Sequence, residues 1–446
     1  MDYPKRQGKK ILRYDNYEIK QREMIFGYSF RKRKYQIRMA FLGLNEGVFR
    51  RAKHEAADNL IFNLGVALVP FLFDLADFDE VFVAPAFLDQ EQKDFFSKYF
   101  QRGLAEFRYR NGLNPNRKIV LKSEEKSKKF STSFEEMEKR ALVMNGAGKD
   151  SSVAGEITKA IGLGFSWFIM NPVGAKLKKI KSSGIEKFSG VSLMKIGGGF
   201  EKDRILKGHK PLSAVLAFAA VLVGYLAKTK YVIAGNEYSS NFGNLKIDGL
   251  EVNHQYSKSF EFEKDFSHYV NKYAVKDVHY FSILRPLYEL QIAKIFSFYP
   301  QYFSDFISCN EGQNKGYWCK KCSKCAFVFL ILYPFLKESD ILRIFGENLF
   351  EKAIIRKYIV ELCCSEIKPF ECVGTRSESR LALALCFEKD KNLIKKKYAS
   401  ELSGCLDLTK IKTTEASELF SFARRHNFPK ELEGDLLAYF KKKLIK

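Results

Sequence analysis

Short apolar runs alternate with helical patterns through the middle of the chain. Four of these runs have the length and composition of buried strands: 141–144, 165–170, 191–196 and 231–237. An apolar helical stretch at 211–227 precedes the last run, and Pro211 suits a first helical turn. Short apolar strands that alternate with helices predict an α/β fold with a mostly parallel sheet, whose ligands bind beyond the carboxyl ends of the strands.

The segments on either side of this central pattern differ from it. Strand-like runs at 35–42 and 81–85 and helical runs at 49–66 and 88–102 indicate an N-terminal α+β region. A lysine-rich polar stretch at 121–136 is typical of a linker or exposed turn. We therefore predict three regions: an α+β region at 1–130, a nucleotide-binding α/β domain with a cysteine-rich loop at 131–330, and a mainly helical region at 331–446.

The composition indicates a large folded chain with an anionic partner. Its 446 residues, 46% of them hydrophobic, can bury a core for two or three domains. The formal net charge of +23 would suit nucleic acid, a membrane surface or a nucleotide sugar that carries a diphosphate and carboxylates. A solvated basic surface has the same charge, so charge alone does not choose the partner.

Three apolar stretches invite comparison with the roughly 20 residues that cross a bilayer: 60–75, 211–227 and 326–336. The first contains Pro70 and runs into acidic residues, the second falls just short, and the third is too short. The N-terminal sequence MDYPKRQGKK has basic residues with no apolar region after them, so it does not resemble a secretory signal. We predict a cytoplasmic protein with no membrane partner.

A glycine-rich turn, GAGKDS, lies between a predicted strand and a predicted helix. Its residues are Gly146, Ala147, Gly148, Lys149, Asp150 and Ser151, and it resembles the SGGxDS signature of the PP-loop ATP pyrophosphatases. Small residues let backbone N–H groups approach a pyrophosphate, and a helix start favours negative charge. Asp150 is a candidate helix cap or Mg²⁺ ligand, while Lys149 and Ser151 supply a charge and a hydroxyl.

The turn departs from that signature at two positions. Gly146 stands in place of serine and Ala147 in place of glycine, and a left-handed backbone at Ala147 would cost about 1 kcal/mol. A plain helix-capping turn is the alternative. A Walker turn fits less well, because Asp150 follows Lys149 where that motif has serine or threonine. The PP-loop pattern implies cleavage of ATP between its α and β phosphates.

Four cysteines are spaced as metal ligands. Cys309, Cys319, Cys322 and Cys325 form the pattern C-x9-C-x2-C-x2-C, which is typical of a closed tetrahedral zinc site with a structural role. An iron–sulfur cluster and four unrelated buried cysteines are the alternatives. The remaining five cysteines lack ligand spacing and are more typical of core thiols.

A polar segment follows the strand at 231–237, at the edge where the sheet is expected to bind ligands. It is rich in asparagine, serine, histidine and carboxylates, and Lys258 is its natural partner for phosphate or carboxylate. A capped, solvent-exposed loop is the alternative. Together with two residues in GHKP and SILRPL, the candidate substrate-binding side chains are His209, Asn236, Glu237, Asn241, Asn253, Gln255, Ser257 and Arg285.

Several longer motifs occur in one order along residues 105–380: GLAEFRYRN, GAGKDS, GHKPLSA, GNEYSSNFGN, VNHQYSKSFEFE, SILRPLYE, WCKKCSKCAFVFLILYPFL and KPFECVG. This order resembles the UDP-N-acetylmuramoyl-L-alanyl-L-glutamate epimerases of peptidoglycan synthesis. The resemblance implies a PP-loop (adenine nucleotide α-hydrolase-like) sheet domain. It also implies an isomerase that uses ATP and Mg²⁺ and acts on UDP-MurNAc-L-Ala-L-Glu.

The reaction implied by the resemblance would adenylate the α-carboxylate of the terminal glutamate, invert its Cα and hydrolyse the adenylate, leaving D-Glu, AMP and pyrophosphate. Adenylation removes the carboxylate charge that opposes enolate formation, so the Cα proton becomes far more acidic. The base is not fixed by the sequence. The candidates are the imidazole of His254, the nearby Lys258 and Glu263, and Cys372, a thiol in the matching motif FECVG; His254, Lys258 and Cys372 are the predicted catalytic residues.

Two other classes of protein share some of these features. One is a PP-loop enzyme that adenylates tRNA or a nucleobase-like acid, as in thiolation, lysidine or deazaguanine nitrile synthesis. The positive charge favours tRNA, but no RNA-binding module is recognisable, so nucleic acid is not the expected partner. The other is a non-catalytic zinc protein with a decayed nucleotide turn, and the presence of Asp150 and Ser151 argues against it.

Overall fold

The computed structural model describes residues 8–172, 175–197, 206–309, 311–312, 315–390, 398, 421 and 425–444. The strands are β1 (Ile11–Lys20), β2 (Glu23–Phe30), β3 (Arg33–Leu42), β4 (Glu80–Val83), β5 (Val120–Ser123), β6 (Glu138–Met144), β7 (Phe165–Met170), β8 (Phe188–Gly197), β9 (Thr229–Ala234), β10 (Leu245–Ile247), β11 (Leu250–Val252) and β12 (His279–Ser282).

Helices connect most of these strands and make up the described C-terminal part. They are α1 (Glu46–Arg50), α2 (Glu55–Ala67), α3 (Gln90–Gly103), α4 (Ala105–Arg110), α5 (Lys149–Ala160), α6 (Ala175–Ser183), α7 (Leu212–Leu226), α8 (Phe260–Tyr273), α9 (Glu289–Phe296), α10 (Ser323–Leu332), α11 (Glu338–Phe345), α12 (Ala353–Cys364), α13 (Arg376–Lys389) and α14 (Lys430–Leu444).

One mixed sheet organises the described residues. Its ten strands lie in the order β12-β9-β6-β7-β8-β3-β2-β1-β4-β5. The strands from β12 to β8 are parallel, β8 pairs antiparallel with β3, and β3, β2 and β1 form an antiparallel meander. From β6 the chain first adds strands on one side and later adds β9 and β12 on the other. A reversal of this kind opens a crevice at the carboxyl ends of the strands, where α/β sheets bind ligands.

The central strands are apolar because helices cover both of their faces. On β6, Leu142 points into the core that includes α2, α7 and α8, whereas Val143 points into the core that includes α5, α9 and α10. Successive side chains of a strand alternate between the two faces. Trp167 on β7 lies in the second core and is fully buried. Strands buried on both faces carry near-continuous apolar runs, which explains the sequence pattern.

The helical stretch Glu55–Leu72 has the length and composition of a membrane span, with a mean hydropathy of 1.3. However, 83% of it is buried inside the folded chain, where α2 packs against α7 and β1. The buried Tyr28 hydroxyl donates to the Gly65 carbonyl at 2.6 Å, which ties the middle of this helix to the sheet. Burial of this extent is what a core helix of a folded domain shows.

The predicted mixed α/β fold with a mostly parallel sheet is confirmed. The predicted strands at 35–42 and 165–170 correspond to β3 and β7, and the predicted helix at 211–227 corresponds to α7. The pairing of β3 with β8 joins strands from the first two predicted regions in one sheet. The division of the chain into three regions stays a prediction.

Candidate active site

Three connections leave the carboxyl edge of the parallel strands where the strand order reverses. The glycine-rich turn follows β6, the segment 235–241 follows β9, and the segment 283–289 follows β12. The last two are bonded to each other: Tyr238 N donates to Leu287 O at 2.8 Å, and Ser282 Oγ donates to Asn236 O at 2.5 Å. The edge therefore carries one continuous polar surface at the expected ligand position.

The turn after β6 is held in a fixed shape with a left-handed backbone at Ala147, whose φ is 64°. Ala147 N donates to Asn145 Oδ1 at 2.9 Å, and Ala147 O accepts from Ile307 N at 3.1 Å. Helix α5 begins at Lys149, and its N-cap residue, Gly148, makes no side-chain cap. The first N–H groups of α5 and its dipole therefore point toward a place suited to phosphate.

Replacement of Ala147 should show how much strain this turn contains. Ala147→Gly removes the strain of a left-handed backbone at alanine, which costs about 1–2 kcal/mol. The same change raises the entropy of the unfolded chain and removes a buried methyl group, and both effects destabilise the fold. We expect these effects to cancel within about 1 kcal/mol. Ala147→Val adds a branched side chain to a fully buried site and should destabilise the chain by more than about 2 kcal/mol. Urea unfolding measures both changes.

Ala154 on α5 provides the matched control, because it is equally buried but lies in an ordinary helix. Ala154→Gly loses the same methyl group without relieving strain and should cost about 1–2 kcal/mol. A cost for Ala147→Gly equal to that for Ala154→Gly would show that the turn is unstrained.

Three carboxylates converge beside the turn. Asp150, Glu237 and Glu289 each place an oxygen within 4.8 Å of the other two. Lys149 Nζ donates to Asp150 Oδ1 at 2.5 Å and to Glu289 Oε2. Burial and the Asp150 charge raise the pKa of Glu289, and the Lys149 ammonium acts against that rise. A set of carboxylate oxygens of this kind suits Mg²⁺.

Two of the functional candidates at this edge were not predicted from the sequence. Glu289 begins α9 within the motif SILRPLYE and joins Asp150 in the carboxylate cluster. Lys179 on α6 is buried, and its Nζ donates to Gly148 O and, at 2.8 Å, to Ser151 Oγ. Burial lowers the pKa of Lys179 to about 7. Four lysines lie in α6, and only the fold shows which of them faces the turn.

The four predicted cysteines come together. The Sγ atoms of Cys309, Cys319, Cys322 and Cys325 lie within 4.8 Å of one another, and those of Cys319 and Cys325 are 3.7 Å apart. Tetrahedral zinc with Zn–S bonds of about 2.3 Å would separate its sulfurs by about 3.8 Å. Cys325 N donates to Cys322 Sγ at 3.4 Å, which favours a thiolate there. The donor set and its spacing fit zinc.

The cysteine cluster is linked to the glycine-rich turn through neighbouring residues. Ile307, two residues before Cys309, donates to Ala147 O. Ser308 Oγ lies 2.9 Å from the position that a Cβ on Gly148 would occupy. The residues just before Cys309 therefore contact the turn directly.

Arg285 connects the segments that carry the polar candidates. Its guanidinium is fully buried and donates to Glu263 Oε2 at 2.9 Å, to Glu237 O at 2.8 Å, to Ser240 Oγ at 3.1 Å and to Lys258 O at 2.7 Å. These bonds fix the backbone at Glu237 and Lys258. The shown contacts are therefore structural, and direct contact of Arg285 with a substrate stays a prediction.

His254 is held by one ring nitrogen, and its other ring nitrogen is buried. Asn244 Nδ2 donates to Lys368 O at 3.1 Å and Pro369 O at 2.7 Å, so Asn244 Oδ1 is an acceptor and His254 Nδ1, 2.9 Å away, carries the proton. Among the described residues, His254 Nε2 then has no partner although it is a buried acceptor, and both side-chain polar atoms of Gln255 also lack one. Burial lowers the pKa of His254 to about 2. Buried polar groups left unpaired in this way indicate a ligand site.

His254 belongs to a group of side chains that also contains His209, Lys258 and Cys372. Lys258 Nζ is 3.5 Å from Cys372 Sγ, and the rings of His209 and His254 have centroids 5.3 Å apart. Burial alone would raise the pKa of Cys372, but the Lys258 ammonium and other nearby cations lower it to about 7. The Cys372 charge in turn raises the pKa of Lys258. Glu106, 3.5 Å from His209 Nδ1, raises the pKa of His209.

The remaining predicted residues lie around these groups. Asn241 and Asn253 line a cavity of 570 Å³, which also contains Arg102, Lys264 and Arg425. Ser257 is buried next to Lys258. Asn236 bonds to the Tyr280 side chain. These four predicted residues lie on the segment 235–258 that follows β9, and their roles stay predictions.

Comparison with known proteins places the chain in a family. Two family models match it, the MurL N-terminal domain at residues 5–283 and the MurL C-terminal domain at residues 305–406. The chain belongs to the MurL family. The MurL N-terminal match contains the turn, His254 and Lys258, and the MurL C-terminal match contains the cysteine cluster and Cys372. The candidate site therefore draws on both MurL domains.

MurL relatives have named activities. A UDP-N-acetyl-alpha-D-muramoyl-L-alanyl-L-glutamate epimerase from Xanthomonas oryzae pv. oryzae is 32% identical over 372 residues, which is 79% of this chain and 80% of the relative. Relatives with the same name from a Micromonospora species and from Salinispora tropica are 31% and 33% identical, covering 69% of this chain and 70% and 68% of their own lengths. No solved structure matches the chain.

Proposed function

We propose that this chain is an ATP-dependent epimerase that converts the terminal L-Glu of UDP-MurNAc-L-Ala-L-Glu to D-Glu during cytoplasmic peptidoglycan synthesis. One observation carries the proposal: a turn suited to phosphate and a set of proton-transfer groups share one sheet edge in a MurL chain. Glu237 connects them, because its carboxylate lies within 4.8 Å of those of Asp150 and Glu289 and Arg285 donates to the carbonyl oxygens of both Glu237 and Lys258. A bound nucleotide and a reacting glutamate would therefore be neighbours.

The turn provides the groups that an ATP phosphate chain requires. Backbone N–H groups at the start of α5 and the Ser151 hydroxyl would bind the phosphates, and Lys149 and Lys179 would offset their charge. Asp150, Glu237 and Glu289 would hold Mg²⁺, which neutralises charge on the phosphates when bound. The cysteine cluster would hold a structural zinc, since four thiolates leave no open position for chemistry.

Adenylation prepares the substrate for inversion. The α-carboxylate oxygen of the terminal glutamate attacks the α-phosphorus of ATP, a P–O bond forms, and the bond to pyrophosphate breaks. The resulting acyl group carries no carboxylate charge, so loss of the Cα proton gives a stabilised enolate. His254 Nε2 and the Gln255 amide are buried, have no partner in the part of the chain that the structure describes, and would orient the peptide end of the substrate.

The cavity that contains Arg102 is the proposed place for the nucleotide sugar. Lys264 and Arg425 line it and form no ion pair with any residue in the described part of the chain. Tyr238, Tyr256 and Phe260 add aromatic surface to its wall. Lys264 and Arg425 beside aromatic rings suit a diphosphate joined to a base and sugars, and 570 Å³ lies in the usual range for ligand pockets.

Chiral analysis of the product tests this function directly. Purified protein incubated with ATP, Mg²⁺ and UDP-MurNAc-L-Ala-L-Glu should yield a dipeptide whose hydrolysis releases D-Glu, with AMP and pyrophosphate formed alongside. Recovery of L-Glu alone from protein that turns over ATP would overturn the proposal. Parallel incubations with tRNA in place of the muramoyl dipeptide test the rival class, because pyrophosphate release would then depend on tRNA.

A further inference from the structure

The histidine in GHKP lies where it could act as more than a binding group. His209 Nδ1 is 3.5 Å from Glu106 Oε2, and Glu106 also accepts the His209 backbone N–H, so both ring and backbone are held by one buried carboxylate. The preceding Gly208 has a φ of 104°, and a Cβ there would lie 2.8 Å from Phe107 Cα. The close contact with α4 therefore fixes His209, while 45% of its side chain stays accessible.

Cys372 approaches the same space from another segment. The chain at 368–370 is tied to Asn244, which bonds to His254, and the His254 ring faces His209. Phe370 packs on Tyr109 of α4, the helix that carries Glu106. These contacts bring the segment that carries Cys372 and the segment that carries His209 to one cluster from different parts of the chain.

Resting on the proposed function, we propose that Cys372 and His209 are the two proton-transfer residues of the epimerisation, acting on opposite faces of the glutamate Cα. The Cys372 thiolate removes the Cα proton of the L residue, and the C–H electron pair moves into the enolate of the acyl-adenylate. The imidazolium of His209 then donates its proton to the other face of Cα, and a new C–H bond forms. The enzyme is left with a thiol and a neutral imidazole, which exchange protons with solvent to reset.

The charges next to each group support these roles, since Lys258 Nζ lies 3.5 Å from Cys372 Sγ and Glu106 Oε2 lies 3.5 Å from His209 Nδ1. An inversion needs a base on one side and an acid on the other, held in opposite protonation states. Lys258, Lys324 and His209 act together to lower the pKa of Cys372 to about 7 despite its burial. Glu106, Cys372 and Glu371 raise the pKa of His209. The Cys372 charge therefore favours a protonated His209, which can act as the acid. The His209 charge favours a deprotonated Cys372, which can act as the base.

The other two candidates fit supporting roles. The pKa of Lys258 is raised by the neighbouring Cys372 charge, so Lys258 stays an ammonium that stabilises the thiolate. Burial lowers the pKa of His254 to about 2, so it is a weak base that serves as a hydrogen-bond acceptor. Glu106 acts through His209 and is a positioning residue.

Deuterium exchange distinguishes the two sides. Reactions in D₂O should show that Cys372→Ser releases pyrophosphate but neither exchanges the Cα hydrogen nor forms D-Glu. His209→Asn should release pyrophosphate and incorporate deuterium at Cα while the recovered glutamate stays L, because the thiolate returns the label to the same face. Glu106→Gln should raise the ratio of exchange to inversion without changing pyrophosphate release.

Controls separate this inference from the proposed function. His268 pairs with Glu91 at 3.0 Å on an exposed surface, so His268→Asn removes a comparable pair and should invert Cα at the wild-type rate. Inversion by His209→Asn, or Cα exchange by Cys372→Ser, would overturn the assignment while the epimerase function stands. Absence of D-Glu from the wild-type enzyme would instead overturn the function itself.

Discussion

Asp150→Asn is expected to reduce substrate-dependent pyrophosphate release by about 10²–10³-fold. The substitution keeps the size of the side chain but removes one of three converging carboxylates and one partner of the buried Lys149. The remaining site would then bind Mg²⁺ less tightly and leave more phosphate charge uncompensated. A continuous pyrophosphate assay with the muramoyl dipeptide and varied Mg²⁺ measures the loss and shows whether excess Mg²⁺ restores part of it.

Glu156 on the same helix supplies the control. It accepts from the Tyr302 hydroxyl at 2.6 Å and lies outside the carboxylate cluster, so Glu156→Gln makes the same charge change on α5 away from the turn. We expect Glu156→Gln to retain activity within about threefold. Near-normal turnover by Asp150→Asn would remove the turn from the nucleotide site.

Cys309→Ser is expected to abolish metal binding and to lower the free energy of unfolding by about 3–5 kcal/mol. Loss of one thiolate opens a four-sulfur site, and Cys309 is fully buried, so no water can easily replace its sulfur. The change should also reach the turn, because Ile307 bonds to Ala147 O. Metal content by mass spectrometry and urea unfolding give the two measurements.

Cys386 is the matched control. It is buried, but it lies on α13, far along the chain from the cysteine cluster. Cys386→Ser should keep one equivalent of zinc while showing the ordinary cost of a polar atom in a core. ATP binding is then compared between the two variants at equal folded fraction. Weaker binding by Cys309→Ser than by Cys386→Ser would show that the cysteine cluster supports the glycine-rich turn. A metal-free wild-type protein of full stability would contradict a structural zinc site.

The parts of the site that follow a strand in sequence could be predicted from sequence alone. The turn at 146–151 and the polar segment after β9 were identifiable because parallel strands bring their carboxyl ends to one edge. The cysteine spacing likewise led to Sγ atoms that converge in the structure. The left-handed backbone at Ala147 was anticipated as a condition of the PP-loop pattern, and its φ of 64° meets that condition.

Contacts between segments that are distant along the chain could not be predicted from the sequence. Glu289 reaches Asp150 only because β12 lies beside β9, and Lys179 faces Gly148 only because of how α6 packs. Glu106 lies about a hundred residues before His209, and no periodic pattern relates the two. The strands β1 and β2 were also not predicted, because charged and polar residues interrupt the apolar pattern of β1. Such features depend on tertiary packing and have no local signal.

The antiparallel pairing of β3 with β8 limits which parts of the chain can be expressed alone. Cutting before residue 131 would strip β8 of its neighbour from Gln36 to Leu42 and leave a row of bare backbone donors and acceptors facing water. An exposed strand edge of that kind pairs with other chains, so residues 131–446 expressed alone are expected to aggregate.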